Sequence, residues 1–233
     1  MQFLAEDFRQ SLSALPAGLK DLTLGAGFNQ SLEGVAFPRL ESLTFGAGFD
    51  QSLAKVTLPS SLKTLAFGRR FNQSLENVDF PSSLQHLTFG TFFNHCLESA
   101  KLLDSLDSLT FGACFNQSID EVNWPNDLRR LEFGTEFQQM LRNVLLPSSL
   151  EHLTLGRLCM PLHGMKLPEG LRTLSLHPMY EHSLKVTLPT SLHTLELGRK
   201  LENVATLHLH SLSLPGERLK MLRFPSCSLA REK

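Results

Sequence analysis

The sequence predicts a repeat solenoid that is mainly β, with a parallel sheet of short strands on its concave face, extended or turn segments on its convex face, and few or no helices. Three observations predict it. The chain repeats itself with a central period of 22 residues. Each unit carries Leu-x-x-Leu-x-[Leu/Phe], as in Leu62-Lys63-Thr64-Leu65-Ala66-Phe67, where the last two apolar residues alternate about an exposed one as a half-buried strand requires. Glycine and proline punctuate the units too closely to admit a long helix.

The clearest unit runs from Phe71-Asn72-Gln73-Ser74-Leu75 to Leu87-Thr88-Phe89-Gly90, and the pattern returns from Phe93, Phe115 and Phe137. Further units begin at Phe8, Phe28 and Phe49 and at Cys159, Tyr180 and Leu201. This gives ten units of 20–27 residues across 8–227, between a lead-in at 1–7 and a tail at 228–233. A unit of this size cannot bury its apolar side alone, so neighbours must stack. Gly25, Gly46, Gly68, Gly90, Gly112, Gly134, Gly156 and Gly198 end the strands, and the expected reason is a tight turn at positive φ. Proline before the strand, at 16, 38, 59, 81, 125, 147, 168, 189 and 215, fixes φ and excludes helix just ahead of it. Val56-Thr57-Leu58-Pro59 and Val186-Thr187-Leu188-Pro189 are candidates for a short second strand on the opposite wall.

Stacking places the first residues of the units, Phe8, Phe28, Phe49, Phe71, Phe93, Phe115 and Phe137, in one internal aromatic column. Cys159, Tyr180 and Leu201 replace phenylalanine at the equivalent positions and mark a looser carboxy-terminal third. The next residue reads Asn29, Asp50, Asn72, Asn94 and Asn116, consistent with a polar ladder that satisfies turn backbone groups of adjacent coils. Gly25-Ala26-Gly27 begins like a dinucleotide fingerprint but lacks the third glycine and the following helix, and is read as a repeat turn.

Phe-Asn-Gln-Ser-Leu at 28–32 and 71–75, joined to Pro-Ser-Ser-Leu-x-x-Leu-x-[Phe/Leu]-Gly, resembles the FNIP-type repeat, a subtype of leucine-rich repeat, over nearly the whole chain. The usual motif has Pro or Ile within the Phe-Asn block, where Ser stands here. The resemblance implies a leucine-rich-repeat-like interaction domain rather than an enzyme. Some proteins with this repeat carry an amino-terminal F-box; seven residues precede the first unit, so none is expected in this chain. Substrate recognition within a ubiquitin-ligase-type assembly is the alternative that the resemblance suggests.

Composition narrows the function classes. With 22 Lys+Arg against 23 Asp+Glu and a net charge of −1, the chain lacks the basic surplus of a nucleic-acid or membrane-surface binder. No basic-flanked apolar leader and no run of about 18 apolar residues is present, which reads as cytoplasmic. Cys96, Cys114, Cys159 and Cys227 lie far apart, as expected of reduced, buried thiols rather than a disulfide framework or zinc site. His208 and His210 share a spacing that a metal site could use, but no third ligand is near in sequence, so neither a metal nor a cofactor is expected. Hydrolase, phosphate-loop and zinc-protease motifs are absent.

The expected function is therefore a non-enzymatic protein-interaction module. Its candidate face is the pair of outward columns on the strands. One column reads Asp21, Ser42, Thr64, His86, Ser108, Arg130, His152, Thr173 and Thr194; the other reads Thr23, Thr44, Ala66, Thr88, Thr110, Glu132, Thr154, Ser175 and Glu196. Arg129, Arg130, Glu132, Glu151 and His152 make the sixth and seventh coils most distinctive, and His86, Thr88, Ser108, Thr110 and Thr154 complete the predicted partner-binding set. Threonine also suits strands for its own sake, so any single member of a column equally fits a solvated β surface. A water-ordering, ice-binding surface is the rival from another class, against which Ala66, Glu132 and Glu196 interrupt the threonine column. An exposed end strand would also leave a route to end-to-end self-association.

Overall fold

The computed structural model describes residues 2–5, 12, 15–158, 161–180, 186–197 and 221–223. Phe8, Cys159, Gly198, Leu201, His208, His210, Pro215 and Cys227 lie outside the described residues. One sheet runs the length of the solenoid: β1 (Gln2–Ala5), β2 (Asp21–Leu24), β3 (Ser42–Thr44), β4 (Thr64–Ala66), β5 (His86–Thr88), β6 (Ser108–Thr110), β7 (Arg130–Glu132), β8 (His152–Leu155), β9 (Thr173–Leu176), β10 (Thr194–Glu196) and β11 (Met221–Arg223). All eleven pair in sequence order, and β1–β2, β5–β6 and β10–β11 illustrate the parallel pairing that holds throughout. The sheet thus begins at Gln2, inside the stretch that the sequence reads as a lead-in. No helix occurs among the described residues.

Each strand is short because only its central residue and the next apolar one must turn inward. Leu43, Leu65, Leu87, Leu109 and Leu131 are fully buried at strand centres while their neighbours stay half-buried or exposed. The strand closes at glycine, where the chain turns by an N–H of the next unit's phenylalanine donating to the glycine carbonyl, as in Phe28 to Gly25 at 3.1 Å and Phe93 to Gly90 at 3.3 Å. Gly25-Ala26-Gly27 is therefore the repeat turn expected. The physical reason for the glycine differs from expectation. Gly46, Gly68, Gly90, Gly112, Gly134 and Gly156 do not adopt positive φ; among the described glycines, only Gly34 and Gly164 do, in a different turn. At the strand ends a Cβ would instead collide with the preceding coil's glycine carbonyl oxygen, at 1.8–2.2 Å. Glycine is required there because two backbones touch.

The proline turn gives the second corner. Leu19, Leu62, Leu84, Leu128 and Leu150 donate their N–H to the carbonyl of the proline three residues earlier, at 2.9–3.3 Å. In the coil lacking this proline, Leu106 N donates to Leu103 O at 3.0 Å, so the turn survives the loss of a fixed φ. The Val56-Thr57-Leu58 segment forms no strand, and Val56 N closes a local turn on Leu53 O at 3.0 Å. Val186–Leu188 likewise is not a strand. Serine ties the corner ahead of the strand to the coil before it: Ser61 donates to Leu40 O at 2.7 Å and Ser83 to Leu62 O at 2.6 Å.

The aromatic column is present. Phe28, Phe49, Phe71, Phe93, Phe115 and Phe137 stack with successive centroids 6.1 Å apart. A second column lies against it: Phe45, Phe67, Phe89, Phe111 and Phe133 stack at 5.3–5.6 Å, and each ring sits 3.8–4.1 Å from its partner in the first column. Tyr180 takes the spine position of the ninth coil and is fully buried, its hydroxyl accepting the Leu162 N–H at 3.3 Å; burial raises its pKa.

The polar ladder is also present, and more extensive than expected. Asp50 N donates to Asn29 Oδ1 at 2.8 Å, Asn72 N to Asp50 Oδ1 at 2.9 Å, Asn94 N to Asn72 Oδ1 at 2.9 Å, and Asn116 N to Asn94 Oδ1 at 2.8 Å. Gln138 N extends it to Asn116 Oδ1 at 2.9 Å. The glutamine that follows adds a second bond to the same oxygen, as Gln73 Nε2 does to Asp50 at 2.9 Å. Each coil's turn is thereby pinned to the coil before it.

The described cysteines depart from expectation. Cys96 is exposed and Cys114 half-exposed, both free. Cys96 occupies the solvent-facing position filled by Ser31, Ser52, Ser74 and Ser118 in other coils, and Cys114 replaces a turn residue just before the buried Phe115. Those serines accept the N–H two residues on, for example Glu76 N to Ser74 Oγ at 3.1 Å. The seventh coil carries Met140 there, 65 % exposed. Met140→Ser should therefore add a turn acceptor for Arg142 N and raise stability by about 0.5–1 kcal/mol, read as a higher urea midpoint; an unchanged or lower midpoint would contradict this.

Candidate functional site

Pairing register sets the two outward columns side by side without a slip. Arg130 lies opposite Ser108 and His152, and Glu132 opposite Thr110 and Thr154. His86 faces Thr64 and Ser108, and Thr88 faces Ala66 and Thr110. Adjacent strands lie about 4.8 Å apart, so a partner would meet neighbouring side chains from successive coils at that spacing. Arg130, His86 and Thr88 are exposed; Glu132, Ser108, Thr110, His152 and Thr154 are half-buried. The structure brings these eight together on one face.

Arg129 and Glu151 lie just before the strands and belong to a third column, whose charges alternate along the solenoid apart from the neutral Gln85. Glu41 joins Lys20 at 2.6 Å and Lys63 at 2.9 Å, and the Lys20 and Lys63 ammonium groups that hydrogen-bond it hold its carboxyl at about 2, below the usual 4.5. Further along, Arg129 Nε lies 3.7 Å from Asp107 Oδ1, and Arg172 Nη1 lies 3.4 Å from Glu151 Oε2. Two of the five distinctive residues, Arg129 and Glu151, therefore pair with adjacent coils. Arg130 and Glu132 form no ion pair among the described residues, which leaves their charges available to a partner. The sequence carried the signal for this third column, since Lys20, Glu41 and Lys63 recur at the repeat spacing, but alternating charge on a face also reads as ordinary solvation. At the end of the second outward strand column Ser175 Oγ donates to Glu196 Oε2 at 2.7 Å, joining β9 to β10 through side chains.

Away from the strands, grooves occur on the turn and non-strand walls. One is lined by Met140, Leu141, Arg142, Leu158, Leu162 and Met165 among others, and a second includes Leu102, Trp124 and Leu145. Arg69 rests over the Phe92 ring at 5.1 Å on the turn side. No group of three or more His, Cys, Asp or Glu residues arranged to hold a metal occurs among the described residues. Nor is any helix among them long and apolar enough to cross a membrane.

Comparison with known proteins follows the same repeat boundaries. The FNIP Repeat family matches at residues 28–70, 49–92, 71–114 and 115–157, together more than half of the chain. Among solved structures the chain is similar to CroV588, described as a novel circular LRR protein, with 35% sequence identity and a TM-score of 0.60; the match covers 79% of this chain and 31% of that one. This chain thus spans about a third of that structure's length. A comparison with curated proteins gives no match.

Proposed function

Because the chain belongs to the FNIP repeat family, we propose that it is a non-enzymatic protein-interaction module whose strand face meets a protein partner at the sixth and seventh coils. The observation that carries this reading is the uninterrupted register of β2–β10, which presents Arg130 and Glu132 on one strand, free of ion pairs among the described residues, between columns of serine, threonine and histidine. A repeated surface of this kind suits an extended partner, because each coil adds one contact row to the last. Arg130 supplies a donor fork and Glu132 an acceptor two residues on, so the complementary partner would offer a carboxylate or carbonyl near one and a cation or N–H near the other. His152, Thr154, Ser108 and Thr110 flank that pair with groups that both donate and accept.

The reading is tested by affinity capture with the chain and with Arg130→Ala combined with Glu132→Ala, followed by mass spectrometry. A partner should be recovered by the parent chain and bound at least about tenfold more weakly by the double variant, the loss expected when a charged interface pair is truncated. Recovery of no partner, or equal recovery by both proteins, would contradict it.

A further inference from the structure

The seventh coil breaks the polar rule of the non-strand wall. One outward column there reads Ala36, Thr57, Asp79, Lys101, Asn123, Leu145, Lys166 and Thr187. Leu145 alone in that column is a large apolar residue, and it is 77 % exposed. The repeat does not require it, since other coils fold with threonine or lysine there. Leu145 borders a groove of about 580 Å³ that spans three coils and includes Leu102, Trp124 and the carboxylates Asp104, Asp120 and Glu121. Among the described residues no lysine or arginine lines this groove, and none of the three carboxylates forms an ion pair. Asp104 instead accepts from the Asn126 backbone and amide at 2.9 and 3.1 Å, and Asp120 from Ser118 at 3.2 Å. Trp124 Nε1 is buried with no acceptor among the described residues, and the ring meets Phe133 edge-on at 6.5 Å.

We propose that this groove binds an extended basic peptide segment, an apolar side chain of which packs against Leu145 and Trp124 while lysine or arginine side chains meet Asp104, Asp120 and Glu121. Charge complementarity selects the occupant: three carboxylates and no cation beside an exposed apolar side chain attract a positively charged strand with an apolar anchor and repel an acidic one. Alternating side chains of an extended peptide would serve both demands, one toward the leucine and the next toward a carboxylate. The site is separate from the strand columns, so it stands or falls independently of the partner proposed for them.

Trp124 is the chain's single tryptophan and lies at the site, so its emission reports occupancy. Titrating the full chain with the peptide Lys-Leu-Lys-Leu-Lys should shift that emission saturably, with an affinity that falls as salt rises. Glu-Leu-Glu-Leu-Glu should give no saturable shift. Leu145→Thr, the residue present at Thr57 and Thr187, should leave circular dichroism unchanged and weaken binding about tenfold; Asp120→Asn with Glu121→Gln should weaken it and flatten the salt dependence. The proposal is overturned by an acidic peptide binding equally well, by Leu145→Thr binding with parent affinity, by no saturable response to the basic peptide, or by sedimentation showing that Leu145 mediates association of two copies of this chain.

Discussion

Replacing Gly90 with alanine should unfold the central coils or cost more than about 4 kcal/mol, beyond the range of ordinary point changes. The new Cβ would lie 1.8 Å from the Gly68 carbonyl oxygen, 2.4 Å from its carbon and 3.0 Å from Arg69 N, all backbone atoms. No side-chain rotation relieves such an overlap, so the third and fourth coils would have to separate or the strand pairing β4–β5 would slip. A slip is costly in its own right, because moving the register by one residue turns the buried leucines outward. Gly18→Ala is the matched control: nothing lies within 4 Å of its added Cβ and φ is not positive, so that variant should be neutral or more stable by about 0.4–1 kcal/mol. Urea denaturation of both variants checks the contrast. A Gly90→Ala protein within 1 kcal/mol of the parent would show that coils can spread at the strand ends, and the close-approach account would be wrong.

The second large effect is expected at Phe93. Its ring is fully buried and stacks between Phe71 and Phe115 at 6.1 Å each, with Phe89 at 3.9 Å and Phe111 at 6.4 Å. Phe93→Ala removes a member from both columns' contacts and opens a cavity that rigid neighbours cannot refill, for a loss of about 3–5 kcal/mol. Phe93→Leu keeps most of the volume and should cost less. The adjacent Phe92→Ala separates burial from aromatic content: Phe92 is 41 % exposed and its one aromatic-type contact among the described residues is Arg69 at 5.1 Å, so its loss should stay within about 1 kcal/mol. Equal destabilisation by the two alanine variants, measured by thermal and urea unfolding, would sink the spine as the main stabilising element.

These two sites bear on function through the same geometry. The strand columns are regular only while neighbouring coils keep one register, and the contacts that enforce it are the strand-end glycines, the paired aromatic columns and the Asn29–Asp50–Asn72–Asn94–Asn116 ladder. The outward residues contribute less to that register, which leaves them free to vary from coil to coil. Arg130 and Glu132, or Leu145, can therefore be altered to test binding with little expected effect on the fold.

Much of this architecture was legible in the sequence. The 22-residue spacing from Phe71 to Phe93, the alternation at Leu65-Ala66-Phe67 and the asparagine or aspartate after the spine phenylalanines from Phe28 to Phe115 pointed to the coil length, the strand and the ladder, because periodic burial imposes periodic residue types. The same reasoning placed His86, Ser108, Arg130 and His152 in one column, since register follows from period. Spatial proximity was not legible. Phe45 and Phe67 read as strand residues, and only the folded coil brings each to 3.8–4.0 Å from a spine ring. Gly46 and Gly90 read as turn glycines, and only a neighbouring backbone reveals that their missing Cβ is occupied space. Cys96 read as buried because cysteines often are, whereas its coil position is the exposed one of Ser31 and Ser74.

The sequence by itself determined that this protein is a stack of similar coils and which side chains face inward, since those follow from local pattern and from the need to hide one apolar edge of every unit. Tertiary structure alone decided which charges remain available, setting Arg129 against Asp107 and Glu151 against Arg172 while leaving Arg130 and Glu132 outside any ion pair among the described residues. It likewise gathered Asp104, the sixth coil's Asp120, Glu121 and Trp124, and Leu145 from three successive coils into one groove. The physical reason is that burial is repeated in every unit and so is written in each, whereas pairing and grooves arise between units, from distances that no single unit contains.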